Sequence, residues 1–136
     1  MSRTMSRETA YLVLFSNQFK TPEISNEVVL DVLDGKPISV EELDYIKSLV
    51  LGVLEHREEL EAIVKNNLTG YAFERVVSTD LSAIMLATYE LKYCKDTPSK
   101  VVINEAINLV KKYSTDKSFG FVNSVLSKIS KELSDE

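Results

Sequence analysis

Glycine and proline are scarce in this chain, with four and three among 136 residues. Tight turns are therefore few, which argues against an all-β fold and leaves no glycine-rich loop to hold a nucleotide phosphate. A single cysteine, Cys94, excludes an intramolecular disulfide and any multi-cysteine zinc site. With one histidine, His56, the sole Cys–His nucleophilic pair available would need hydrogen-bond contact and a third, orienting group, and the sequence shows neither. His56 sits in the charged run His56-Arg57-Glu58-Glu59 and reads as an exposed helix residue. Cys94, near a helix end, reads as a small buried hydrophobe. The carboxylates of Glu41-Glu42 and Glu58-Glu59-Glu61 have neither histidine neighbours nor Asp-x-Asp spacing, so they read as solvated faces rather than metal ligands. Nucleophile elbow, phosphate loop and dinucleotide fingerprint are all missing, and no cofactor is expected. No run of about 18 apolar residues exists to form a membrane-spanning helix. At the N-terminus Glu8 stands where a secretory signal would begin its apolar stretch, and no small-residue cleavage site follows. The expected location is the cytoplasm.

What the chain does have is helical periodicity. At 44% hydrophobic and 27% charged residues it has the composition of an ordinary globular protein, and its length suits one domain spanning 1–136. Apolar residues from Ser6 to Phe19 cluster at Tyr11, Leu12, Leu14, Phe15 and Phe19, close to i, i+3/i+4 spacing. Thr21-Pro22 ends that helix, and Pro22 can open the next. Asp34-Gly35-Lys36-Pro37 is a turn, and Ser39-Val40-Glu41-Glu42 fits a capping box. The long amphipathic stretch from Leu43 to Leu68 is either one helix of roughly 28 residues or two meeting near His56. A short helix is expected around Tyr71–Val77. Thr79 or Asp80 caps the following one, whose centre, Ala83 to Ala87, is apolar on all sides and so belongs inside a bundle. Thr97-Pro98 is an N-cap followed by proline at the first helical position, and Ser114-Thr115-Asp116 opens the last helix. Six or seven helices with short connections make an all-α domain.

Charge is unevenly spread. The net charge is −5, which by itself disfavours nucleic-acid binding. Residues 31–80, however, carry eleven acids against five bases, whereas residues 92–131 carry eight lysines against three acids. Lysines on the solvated sides of helices account for this, and so does a fold with one basic and one acidic face. Arg3 and Arg7 precede Phe15 on the first helix, and Phe121 follows the polar run Tyr113-Ser114-Thr115-Asp116-Lys117-Ser118. Arginine with aromatic rings is chemistry suited to single-stranded RNA, the guanidinium meeting phosphate and the ring an unstacked base. At helical spacing the two phenylalanines equally suit a core.

The run Tyr89-Glu90-Leu91, then Asp96-Thr97-Pro98-Ser99-Lys100-Val101-Val102-Ile103-Asn104-Glu105-Ala106-Ile107-Asn108-Leu109-Val110-Lys111, then Phe121-Val122-Asn123-Ser124-Val125-Leu126, strongly resembles the NusB transcription antitermination family. Ser6-Arg7-Glu8-Thr9-Ala10 leading to Leu14-Phe15 is similar to the family's opening helix, so the resemblance covers essentially the whole chain. It implies an all-α fold of two small helical bundles, no catalysis, and binding of boxA-type RNA together with NusE, a small-subunit ribosomal protein. With other Nus factors, this keeps RNA polymerase elongating through ribosomal RNA operons. By position, Arg3, Arg7, Phe15, Lys117 and Phe121 would contact RNA. The helix opening near Asp80 and carrying Glu90 resembles the NusE-binding segment. Asn104, Glu105 and Asn123 lie in the most recognisable motifs, where short polar groups often tie neighbouring segments together. The chain departs from the family in having only two N-terminal arginines, Leu81 and Met85 at positions often basic, Ser124 where glycine is usual, and Lys117 where an acid is common. Each lost phosphate contact removes salt-sensitive affinity, so the isolated protein is expected to bind RNA weakly, with NusE supplying much of the complex's affinity. The alternative is a protein-binding helical module, or a homodimer, with little RNA affinity. NusB-like domains also precede the catalytic domain of some ribosomal-RNA cytosine methyltransferases; a chain ending at Glu136 without a cofactor-binding domain is expected to lack that activity.

Overall fold

A computed structural model describes residues 1–17 and 24–134. Among them are seven α-helices: α1 (Arg3–Asn17), α2 (Asn26–Leu33), α3 (Val40–Glu55), α4 (Arg57–Asn66), α5 (Ser78–Tyr93), α6 (Ser99–Tyr113) and α7 (Ser118–Ser134). The expected helix boundary at Thr21-Pro22 lies outside the described residues. Among the described residues, no helix is long and apolar enough to cross a membrane.

The local signals act through identifiable groups. Ser39 Oγ accepts from the Glu42 N–H at 3.1 Å, and the Glu42 carboxylate accepts from the Ser39 N–H at 2.9 Å, closing the capping box. After α2, Asp34 and Gly35 both take positive φ, 49° and 82°, and reverse the chain. The stretch from Leu43 to Leu68 is two helices meeting at His56. Three boundaries differ from the sequence reading. Phe73–Arg75 forms only a 3-10 turn. Thr79 and Asp80 lie inside the first turn of α5 rather than capping it. Ser114 to Lys117 form a connection, and α7 begins at Ser118. In the last two cases polar residues that suit a helix start, Thr79, Asp80 and Ser114, are engaged by one another across the two elements instead.

Helices α1, α2 and α3 form one small bundle, and α4 to α7 form a second. Helix α5 packs against α1, α3, α4, α6 and α7, and every residue from Ser82 to Thr88 is buried, as its all-round apolar centre requires. The two bundles meet where α1 lies against α5 and α6. There the Arg7 guanidinium donates from Nε to both oxygens of Glu90, at 2.9 and 3.2 Å, and its Nη1 lies 3.6 Å from Glu105. Thr4 Oγ1 donates to the same Glu105 oxygen at 2.6 Å. The small side chains of Ala83, Ala87 and Ala106 line the space beside this cluster. Arg7 and Glu90 are 5% and 3% exposed. Burial pushes the Glu90 carboxyl above the ordinary glutamate value, Glu105 adds to this, and Arg7 pulls it back.

A second close approach joins α3 to α5. A methyl group at Gly52 would run into the ring of Tyr89, so only glycine lets that ring cross α3. Tyr89 in turn packs 5.4 Å from Tyr93, which stacks on His56 at 4.3 Å. His56 is thus half-buried against aromatic rings rather than fully exposed.

Three outcomes are expected. Arg7→Ala or Glu90→Ala alone strands a buried charge and lowers unfolding stability in urea by about 3–5 kcal/mol, and the double replacement Arg7→Met with Glu90→Leu recovers most of that loss. Helix propensity alone would make Gly52→Ala stabilising by about 1 kcal/mol. The clash makes it destabilising by about 1–3 kcal/mol, and the penalty disappears in a Tyr89→Ala background. Glu8 on α1 accepts from Lys112 at 2.7 Å and from the Tyr113 hydroxyl at 2.8 Å. Burial raises its pKa, but these bonds outweigh that and hold it below the ordinary value of 4.5. Its contribution is therefore present above the ordinary value and lost as pH falls through the lowered one, so wild type and Glu8→Gln converge in stability on acidification.

Candidate functional site

Helix α1 runs alongside α6. Thr4 meets Glu105, Glu8 meets Lys112 and Tyr113, and the rings of Tyr11 and Tyr113 lie 5.6 Å apart. The C-terminal half of α1 therefore ends beside the connection between α6 and α7. Tyr11 donates its hydroxyl to the Thr79 carbonyl at 2.9 Å, which ties the start of α5 to the same end. Phe15, one helical turn beyond Tyr11, is half-buried there.

A set of short hydroxyl side chains holds the connection. Ser114 Oγ donates to Asp80 Oδ1 at 2.6 Å and lies 2.8 Å from Thr79 Oγ1 and 2.9 Å from Ser118 Oγ. Ser118 Oγ also accepts from the Thr115 N–H at 3.3 Å. Thus pinned at both ends, the connection presents Lys117 to solvent. Immediately beyond it Phe121 is half-buried, and its ring lies 5.0 Å from that of Tyr71 at an interplanar angle of 43°. Together with Val77, Asp80, Lys117 and Ser118, these two rings line an open cleft of about 300 Å³. Tyr71 is 45% and Val77 49% exposed. An aromatic pair with apolar walls, hydroxyls at the floor and a cation at the rim can accept a flat, apolar-faced group attached to an anion.

The structure gathers some of the expected site residues and separates others. Lys117 and Phe121 share the cleft, and Phe15 lies at the same end of the molecule. Arg3 does not join them. It stands twelve residues before Phe15 on α1, about 18 Å along the axis, with its guanidinium 3.5 Å above the Tyr45 ring. Arg7 and Glu90 must be reassigned. The expectation that Arg7 meets RNA phosphate and Glu90 a partner protein fails on burial, because each already neutralises the other inside the joint between the bundles. Asp80, expected at a partner surface, is 7% exposed and accepts from Ser114. Glu105 bonds Thr4 and faces Arg7. Asn104 and Asn123 instead lie on the exposed sides of α6 and α7, and among the described residues no hydrogen bond joins either side chain to another group.

Tyr71 is the cleft residue that sequence reading passed over as a site. Its signal was present, a large ring directly after Gly70 in a polar connection, but its pairing with Phe121 spans fifty residues. The Cys94 thiol is half-buried, and burial pushes its pKa up, the opposite of an activated nucleophile. Among the described residues, no group of three or more histidine, cysteine, aspartate or glutamate side chains could hold a metal ion.

Comparisons with known proteins return the NusB family from both sequence and structure. The sequence matches the NusB family over residues 4–131. It is 38% identical to the transcription antitermination protein NusB of Clostridium botulinum (strain Kyoto / Type A2), covering 95% of this chain and 99% of that one. Identity to the NusB of Clostridium perfringens (strain SM101 / Type A) is 39%, over 98% of this chain and 99% of the other. Among solved structures, T. maritima NusB superposes with a TM-score of 0.86 at 29% identity, covering 97% of this chain and 92% of the other. A crystal structure of the antitermination factors NusB and NusE in complex with dsRNA superposes with a TM-score of 0.81 at 31% identity, over 97% and 99% of the two chains. Seven helices in two joined bundles, a near full-length sequence match and full-length relatives place this chain in the NusB family of transcription antitermination proteins.

Proposed function

We propose that this protein is a non-enzymatic, cytoplasmic RNA-binding adaptor that holds boxA-type RNA together with NusE and, with other Nus factors, supports RNA polymerase elongation through ribosomal RNA operons. The observation that carries this reading is the cleft in which Lys117, Tyr71 and Phe121 converge, in a chain whose structural relatives include a NusB and NusE complex with RNA. Lys117 neutralises a phosphate while the exposed edges and faces of Tyr71 and Phe121 take an unstacked base. Phe15 adds an aromatic surface at the same end. The remaining N-terminal cation, Arg3, is engaged over Tyr45 at the far end of α1, and Arg7 is withdrawn into the joint. The isolated protein therefore has few phosphate contacts and binds RNA weakly. A partner seated beside the cleft makes the second binding step partly intramolecular and raises the effective concentration of RNA.

The test is a titration of fluorescent boxA-type RNA with the protein alone and with equimolar NusE, at two salt concentrations. Binding is expected to be weak alone and much tighter with NusE. Phe121→Ala and Tyr71→Ala should each cost about 1–3 kcal/mol of affinity with the salt slope unchanged. Lys117→Gln should weaken binding and lower the slope by about 0.7. Unchanged affinity in all three variants would overturn the cleft as the RNA site, and absence of binding with and without NusE would overturn the function.

A further inference from the structure

Helix α6 reverses into α7 across the short connection Ser114 to Lys117, and the two helices pack along their length. Where they begin to run together, Lys111 Nζ lies 4.8 Å from the Phe119 ring centroid. Phe119 is 47% exposed, although it stands in the first turn of a helix whose other aromatic, Phe121, is partly covered. Moving away from this contact, back along α6 and forward along α7, the solvent side carries Asn104, Lys100 and Asn123, all exposed. From Ser99 to Lys131 the only carboxylates are Glu105 and Asp116, and Glu105 is turned toward α1, where it accepts from Thr4 and faces Arg7. In a chain of net charge −5, this surface is cationic and amide-rich.

Asparagine is a poor helix former in a helix interior, and it is tolerated there when its amide bonds a neighbouring segment. Among the described residues, neither Asn104 nor Asn123 makes such a bond. Their amides are free to serve a ligand, each offering both donors and an acceptor. Ammonium groups, amides and an exposed ring together match the chemistry of a nucleic-acid strand, in which Lys and Asn meet phosphate and an aromatic ring meets a base.

We propose that the seam between α6 and α7, marked by Lys100, Asn104, Lys111, Phe119 and Asn123, is a second track for RNA that carries the single strand onward from the Tyr71 and Phe121 cleft. The proposal rests on the RNA-binding reading given above. Phe119 and Phe121 stand about 200° apart around α7, so a strand leaving the cleft reaches Phe119 by crossing the connection at the exposed Lys117, which lines the cleft and precedes Phe119 by two residues. The track runs about 16 Å from Lys111 to Lys100 along α6.

The experiment compares two boxA-type RNAs, one covering the cleft alone and one several nucleotides longer, titrated against the protein with NusE across a salt series. The longer RNA is expected to bind more tightly. In Lys100→Gln with Lys111→Gln that advantage disappears, and the salt slope for the longer RNA falls by about 1.4. Phe119→Ala weakens the longer RNA at least about fivefold without changing the slope, while the short RNA is unaffected by any of these variants. Asn104→Ala and Asn123→Ala weaken the longer RNA while leaving the melting temperature unchanged or raised, whereas a structural role would lower it. The seam is overturned if both RNAs bind, Lys117→Gln and Phe121→Ala weaken them, and the seam variants leave affinity and slope untouched at both lengths; the cleft then stands alone. It is equally overturned if the seam variants abolish NusE binding without RNA, which would make this face a protein interface. If neither RNA binds wild type, the adaptor reading itself falls.

Discussion

The ion pair between Arg7 and Glu90 is the constraint around which the molecule is arranged. Two charges buried at the junction of three helices are favourable only when the partners are in place, and removing one leaves the other in a medium that cannot solvate it. The pair therefore couples the position of α1 to that of α5, and Glu105 extends the coupling to α6. Alanines at 83, 87 and 106 leave the room that the guanidinium needs. Because α1 also meets Tyr113 through Glu8 and Tyr11, fixing its register at Arg7 sets where its far end and Phe15 arrive. The geometry of the cleft end is thus set partly by a charge pair more than two helical turns away.

That end is built mostly from small hydroxyls and rings rather than from a dense basic patch. Ser114, Ser118, Thr79 and Asp80 form a hydrogen-bonded knot that holds the α6 to α7 connection against α5. A pre-formed connection lowers the ordering cost of binding, because Lys117 and Phe121 do not have to be collected from a mobile loop. The acidic balance of the chain and the withdrawal of Arg7 limit unspecific attraction to RNA. Such a protein suits an adaptor that acts well only when a partner is present. In the proposed function, affinity is divided between two proteins, and the complex, rather than either part, recognises the message.

Much of the fold was legible because it is encoded by local chemistry. The capping box at Ser39 and Glu42, the reversal at Asp34-Gly35, the break at His56 and the all-round apolar centre of α5 each follow from groups a few residues apart. The boundaries that were misplaced, at Thr79, Asp80 and Ser114, involve polar side chains with two good uses. Each suits a helix cap, and each is engaged by a segment about 35 residues away. Gly52 reads as a mild helix weakener until the Tyr89 ring is seen to cross it.

The sequence by itself determined that the chain is helical, where its periodic faces lie, that an intramolecular disulfide and multi-cysteine metal sites are excluded, and which family it resembles. Those properties depend on residue type, short-range spacing and motif order. Only the tertiary structure decided which of the charged and aromatic residues remain available. Arg3 and Arg7 look alike in sequence, yet one is exposed and lies over the half-buried Tyr45 ring and the other is buried against Glu90. Asn104 and Glu105 are adjacent, yet one faces solvent and the other faces α1. A charge or a ring can act on a ligand only if the fold leaves it unneutralised and exposed. That outcome is settled by contacts between helices far apart in the chain, which no local pattern records.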